Sequence, residues 1–170
     1  MRHIYVILML SFSVLGCSEQ KSREKVKSIL LAQLKNTHAN QEWFVPTNTA
    51  LKGLSVEQSN WRDSTNNHSI AELTSHLTFW NEMNLKSFKG ENMSDFGVDN
   101  ELTFNINNEK DWKRAVIRLD SIQTEWENAI EEAPLKKLNG WSSEIMNMTA
   151  HNAYHTGQII YIRKRNGWWK

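Results

Sequence analysis

The sequence predicts an all-α fold, a four-helix bundle, and three observations predict it. Apolar residues recur three and four apart in four separate stretches, which is the spacing of one buried helix face. Capping signals and glycine or proline stops bound those stretches. One long polar segment separates the second stretch from the third, so two consecutive helices need not be hairpin neighbours.

The first residues lie outside this domain. "MRHIYVILMLSFSVLGC" has a basic start at Arg2, an apolar run from Ile4 to Leu15, and Gly16 before Cys17. That is the three-part pattern of a bacterial export signal. The run falls short of the roughly 20 apolar residues that span a bilayer. Val14-Leu15-Gly16-Cys17 resembles the lipobox of bacterial lipoproteins, in which the cysteine is lipid-modified and becomes the new N-terminus. The alternative is an ordinary signal with a chance cysteine. Residues 1–17 are therefore expected to be a signal ending at a lipidated Cys17, with 18–25 a polar tether and 26–170 the bundle. Export would place the protein in the cell envelope, and Ser18 after the cysteine points to the outer membrane.

Helix one is expected from Val26, Ile29, Leu30 and Leu34, with Trp43 and Phe44 continuing close to helical spacing until Pro46 stops it. "PTNTALKGLSVEQSNWRD" reads as a loop holding one short helical turn. Helix two opens at Ser69-Ile70-Ala71-Glu72, a capping box, and its Ile70, Leu73, Leu77 and Trp80 face carries it to about Lys89. Residues 90–107 form the long crossover, in which "ELTFNI" has the composition of a short strand. Helix three is the most regular: Trp112, Ala115, Val116, Leu119, Ile122, Trp126, Ala129 and Ile130 make one stripe, closed by Glu131, Glu132 and Pro134. Helix four is expected to begin near Ser142 or Ser143, to show Ile145, Met148, Ile159 and Ile162, and to end at Arg163-Lys164-Arg165 before Gly167.

Composition narrows the function. Processing at Cys17 would leave 154 residues with 19 basic against 19 acidic side chains, enough for one core and without the basic footprint of a nucleic-acid partner. Cys17 is the sole cysteine, so the processed chain has neither a free thiol nor a disulfide. Eight tryptophans suit core and interface anchoring, and some of that surplus is available to a homodimer.

Polar residues interrupt helix four where its buried stripe should continue. Asn152 and His155 fill the gap between Met148 and Ile159, and His151 lies one turn below His155. Imidazoles at i and i+4 share a face and can converge on one ion. H-x-x-x-H alone is weak, since satisfied core or surface histidines share the spacing. Asn152 excludes the zinc-protease motif, and the absence of Glu-x-x-His excludes the di-iron bundle motif. His76, beside the Leu73–Leu77–Trp80 stripe, adds a third imidazole directed inward from another helix, the alternative being a half-buried histidine bonded to nearby backbone or to Glu72.

"NHSIAELTSHLTFWNEMNL" (67–85) and "HNAYHTGQIIYIRK" (151–164) resemble the two signature segments of the DinB-like superfamily, and 42–62 resembles its connection between helices one and two. The resemblance implies an up-down-down-up bundle, often dimeric. It also implies a divalent metal (nickel, zinc, iron or manganese) on His76, His151 and His155, with water in the open positions. His68 matches a recurrent family histidine, at the site edge or in helix-entry packing. Glu72 is the one candidate base, Asn152 and Tyr154 are candidates for supporting the site or bonding across helices, and Gln158 for bonding the site or nearby backbone. Gly157 is expected to permit close helix approach, and His38 to be an ordinary, partly exposed residue.

Three neutral imidazoles leave a divalent ion its full charge, so it acidifies a bound thiol or water. Characterised relatives resemble thiol-dependent transferases, which makes a low-molecular-weight thiol the expected cosubstrate. The envelope is nevertheless poor in reduced small thiols. A metal-dependent hydrolase and a non-catalytic, lipid-anchored metal-binding module are the alternatives.

Overall fold

The structure, a computed structural model, describes residues 24–92, 97–105 and 109–169. The expected signal, Cys17 and most of the tether lie outside them. Among the described residues the secondary structure is entirely helical: α1 (24–38), α2 (Thr47–Leu51), α3 (Val56–Asn60), α4 (Ile70–Lys89), α5 (Glu109–Glu132), α6 (Leu135–Arg165) and a 3-10 turn, Asn100–Thr103. None of these helices is long and apolar enough to cross a membrane.

Helix α4 starts where its capping box places it. Ser69 Oγ accepts from the Glu72 amide at 3.2 Å, and Glu72 Oε2 accepts from the Ser69 amide at 2.7 Å. Gly90, at φ 84°, ends it in the left-handed conformation that an L side chain resists. Helix α5 buries Trp112, Leu119, Ile122, Trp126 and Ile130, its predicted stripe.

Contacts along the long helices fix their directions. Lys27 Nζ donates to Glu131 O at 2.6 Å while His38 meets Asp120 and Glu127, so α1 runs antiparallel to α5. Thr78 bonds Ala115 O, Arg118 pairs with Glu82 and Lys89 with Glu125, so α4 and α5 are parallel. His76 faces His151 while Phe88 packs on Trp141, so α6 is antiparallel to α4. The order is up-down-down-up. Parallel neighbours oblige the crossover to travel the length of α4, about 30 Å for a 20-residue helix.

The core forms two apolar clusters. One gathers Leu30, Leu34, Phe88, Trp126 and Ile145, and the other Ile70, Leu77, Trp112, Leu119 and Ile159. Between them Asn81 and Asn152 are fully buried, and His76 and His155 nearly so. Polar residues thus occupy the middle of the bundle.

Several local expectations are corrected. Helix α1 ends at 38, well before Pro46, and Trp43 and Phe44 lie outside it, with Trp43 99% exposed. Thr47 Oγ1 donates to Thr37 O at 2.8 Å, drawing the chain back over the helix end. The 46–62 connection holds two short helices rather than one turn, and Ser55 gives α3 its own capping box. "ELTFNI" lies partly beyond the described residues, but its first part is the 3-10 turn and no strand. Helix α6 begins at Leu135, not near Ser142, because burial of Leu138 and packing of Trp141 outweigh the helix-weakening Asn139-Gly140 pair. Gly157 is exposed, and a Cβ there would meet nothing within 4 Å, so it serves no close approach.

His38 is buried, not partly exposed. Its Nδ1 lies 2.7 Å from Glu127 Oε1 and its Nε2 2.9 Å from Asp120 Oδ1, which clamps α1 onto α5. Arg163 is more than a helix-end charge. Its guanidinium donates to Ala50 O (2.6 Å), Lys52 O (3.0 Å) and Trp168 O (3.1 Å), tying α2 and the chain end to α6.

Candidate metal centre

His76 from α4 and His151 and His155 from α6 meet between the two apolar clusters. His151 Nε2 lies 3.1 Å from His76 Nε2 and 3.0 Å from His155 Nε2. The three nitrogens lie within 4.8 Å of one another, close enough to hold one metal ion. The spacing on α6 brings two rings to one face, and antiparallel packing brings the third across from α4.

The backs of two rings decide what their inner nitrogens can do. Gln158 gives its amide nitrogen to Tyr154 Oη (3.4 Å) and turns its carbonyl oxygen to His155 Nδ1 at 2.6 Å. A carbonyl oxygen only accepts, so His155 carries its proton on Nδ1 and a lone pair on Nε2. Thr103 spends its hydroxyl proton on Asn100 O (2.6 Å), so its oxygen accepts from His76 Nδ1, also at 2.6 Å. His76 Nε2 therefore also presents a lone pair. His151 Nε2 sits beside both lone pairs and has at most one proton to offer. A shared cation satisfies all three nitrogens, and neutral imidazoles braced from behind are the donor set a divalent first-row metal takes.

The electrostatics keep the rings neutral. Burial, then repulsion from His155, His151 and His68, pushes His76 down to about 3. Burial and His155 push His151 down to about 4. Burial lowers His155 too, against the opposing pull of its bond to Gln158. All three are ready to coordinate at neutral pH without first losing a proton.

Two cavities flank the cluster. One, about 550 Å³, is lined by all three histidines with Trp80, Phe104 and Glu144 among its walls. The other, about 540 Å³, touches only His155 of the three and is lined by His68, Trp61, Tyr154, Gln158 and Tyr161. Phe104 stands between them, stacked on His68 at 3.7 Å and on His76 at 4.1 Å between ring centroids.

The remaining candidates separate on this geometry. Gln158 reaches the site directly. Asn152 bonds Asn81 across the helix interface, Tyr154 is exposed at the second cavity, and His68 lies at the site edge on Phe104. Glu72 is occupied by the capping box and by Arg62 Nη2 at 2.9 Å, which disfavours it as a base. Sequence reasoning missed Thr103, Phe104, Asn81 and Glu144. Glu144 alone had a readable signal, since it stands seven residues before His151 on the same helix face.

A sequence model described as the DinB superfamily matches residues 46–159, a stretch containing all three histidines. No curated protein and no solved structure matches the chain.

Proposed function

Because the chain belongs to the DinB superfamily, and because three imidazoles meet with inward lone pairs, we propose that it is a divalent-metal-dependent enzyme, transferase-like and using a low-molecular-weight thiol as cosubstrate. The tautomers imposed on His76 and His155 are the observation that carries this reading.

His76, His151 and His155 would hold the cation: nickel, zinc, iron or manganese. Bound there, it supplies a Lewis acid with open positions that brings a thiol or water closer to ionisation at neutral pH. The chain's own residues set the conditions. Thr103 and Gln158 orient two rings, the Asn81–Asn152 pair holds α4 against α6, and Phe104 covers one face of His76. The cavity lined by all three histidines would admit the ligand. Hydrolysis ranks second, because activating water asks for a base within about 3 Å or through one water. Glu72 is occupied and Glu144 stands two turns away along α6.

Lipidation at Cys17 would tether the enzyme to a membrane of the cell envelope. A homodimer is part of the proposal. Elemental analysis of the purified protein, beside His151→Ala and His155→Ala, tests the site. Near-stoichiometric metal lost in both variants is expected, and a metal-free wild-type chain overturns it. A new visible band when a small thiol meets the cobalt- or nickel-loaded protein supports the thiol reading. Silence with ester or amide turnover replaces it with hydrolysis, and inactivity towards both leaves a lipid-anchored metal-binding module.

A further inference from the structure

We propose that the cavity beside His76 and His151 selects metal-directed ligands with a cationic ammonium tail, which Glu144 binds two helical turns from the cation. The inference rests on the metal centre proposed above and names the charge class of its ligand.

Glu144, Asn147, His151 and His155 follow one another on a single face of α6 and line one cavity of about 550 Å³. Seven residues of helix separate Glu144 from His151, about 10 Å of rise. That is too far for a base acting at the cation and suitable for the far end of a small extended molecule.

The cavity wall is one-sided in charge. Among the described residues Glu144 is its only charged side chain, and no lysine or arginine lines it. Among the described residues Glu144 has no hydrogen-bond or ion-pair partner. Asn84 spends its amide nitrogen on Trp80 O at 2.8 Å, which leaves its carbonyl oxygen as an acceptor. The Trp80 indole forms part of the same wall, and an aromatic ring beside a carboxylate suits a cation. An anionic tail would meet no basic side chain among the described lining residues. A ligand with a donor for the metal at one end and an ammonium at the other is complementary to both ends of the cavity.

The test uses nickel-loaded full-length protein and two matched pairs of probes: 6-aminohexanethiol against 6-hydroxyhexanethiol, and 6-aminohexanohydroxamate against hexanohydroxamate. Affinity is read from the metal-centred absorption. Glu144 is exposed, so the ammonium probe of each pair should bind at most about fivefold tighter, the upper end for an exposed ion pair, and the gap should shrink at high salt. Glu144→Gln should erase the preference and leave nickel content and the affinity for neutral tails unchanged. Equal binding of both tails, or a preference that survives Glu144→Gln, overturns the inference. If thiols leave the spectrum unchanged while hydroxamates show the preference, the thiol reading fails and the role of Glu144 stands. A chain that takes up no nickel overturns both.

Discussion

Asn81 and Asn152, both fully buried, donate their side-chain amides to each other's carbonyl oxygens at 2.7 and 3.0 Å. The second proton of Asn81 goes to Leu77 O at 2.7 Å, and Trp126 Nε1 donates to the Asn81 backbone carbonyl at 3.0 Å. A reciprocal amide pair of this kind holds in one alignment only. It sets the height of α6 against α4, and with it the meeting of His76 and His151.

Removing one partner should therefore cost more than removing both. Asn152→Leu leaves the Asn81 carbonyl oxygen and one of its amide protons buried and unpaired, an expected loss of about 1–3 kcal/mol. The double variant Asn81→Leu, Asn152→Leu should lose less than either single change. Denaturant unfolding of the four proteins of the cycle measures this coupling.

Gln158→Leu should weaken metal binding about 10- to 100-fold with little change in fold stability, because it frees the His155 ring without touching a coordinating nitrogen. Gln158→Glu keeps an acceptor opposite Nδ1 and should retain tight binding. Competition against a chelator of known affinity separates the two.

Acid should destabilise the metal-free protein. An unfolded histidine protonates near 6.5, whereas His151 and His76 resist protonation in the fold down to about 4 and about 3. Between these limits the unfolded chain holds more protons, so stability falls as pH falls through that window and this contribution levels off below it. Urea midpoints from neutral pH downwards should show the decline, and His76→Phe should flatten it.

Gly140→Ala should stabilise the protein by up to about 1 kcal/mol. The residue is exposed inside α6, its φ is not positive, and an added Cβ meets nothing within 4 Å. A raised denaturant midpoint at unchanged slope is the expected outcome.

What the sequence revealed follows from how local each signal is. The α5 stripe and the Ser69–Glu72 capping box depend on neighbours within a turn or two, and both could be read in advance. The His151–His155 spacing and the inward placement of His76 had the same advantage. Thr103 and Phe104 were hidden, because they come from a crossover whose course is set by the parallel run of α4 and α5. His38 was misread because its partners, Asp120 and Glu127, lie 82 and 89 residues away. Arg163 looked like a dipole-complementing charge until α2 supplied the carbonyls it binds. The start of α6 was missed because Asn139 and Gly140 suggest a break, which tertiary burial of Leu138 overrides.

The ring of Phe104 has a consequence for traffic through the molecule. Pressed between His68 of one cavity and His76 of the other, it acts as a bulkhead contributed by a non-helical stretch of chain. Trimming it to a methyl group would remove the ring that stands between the two cavities, both of which His155 lines. A ligand held beside His76 would then also face the side lined by His68 and Tyr154.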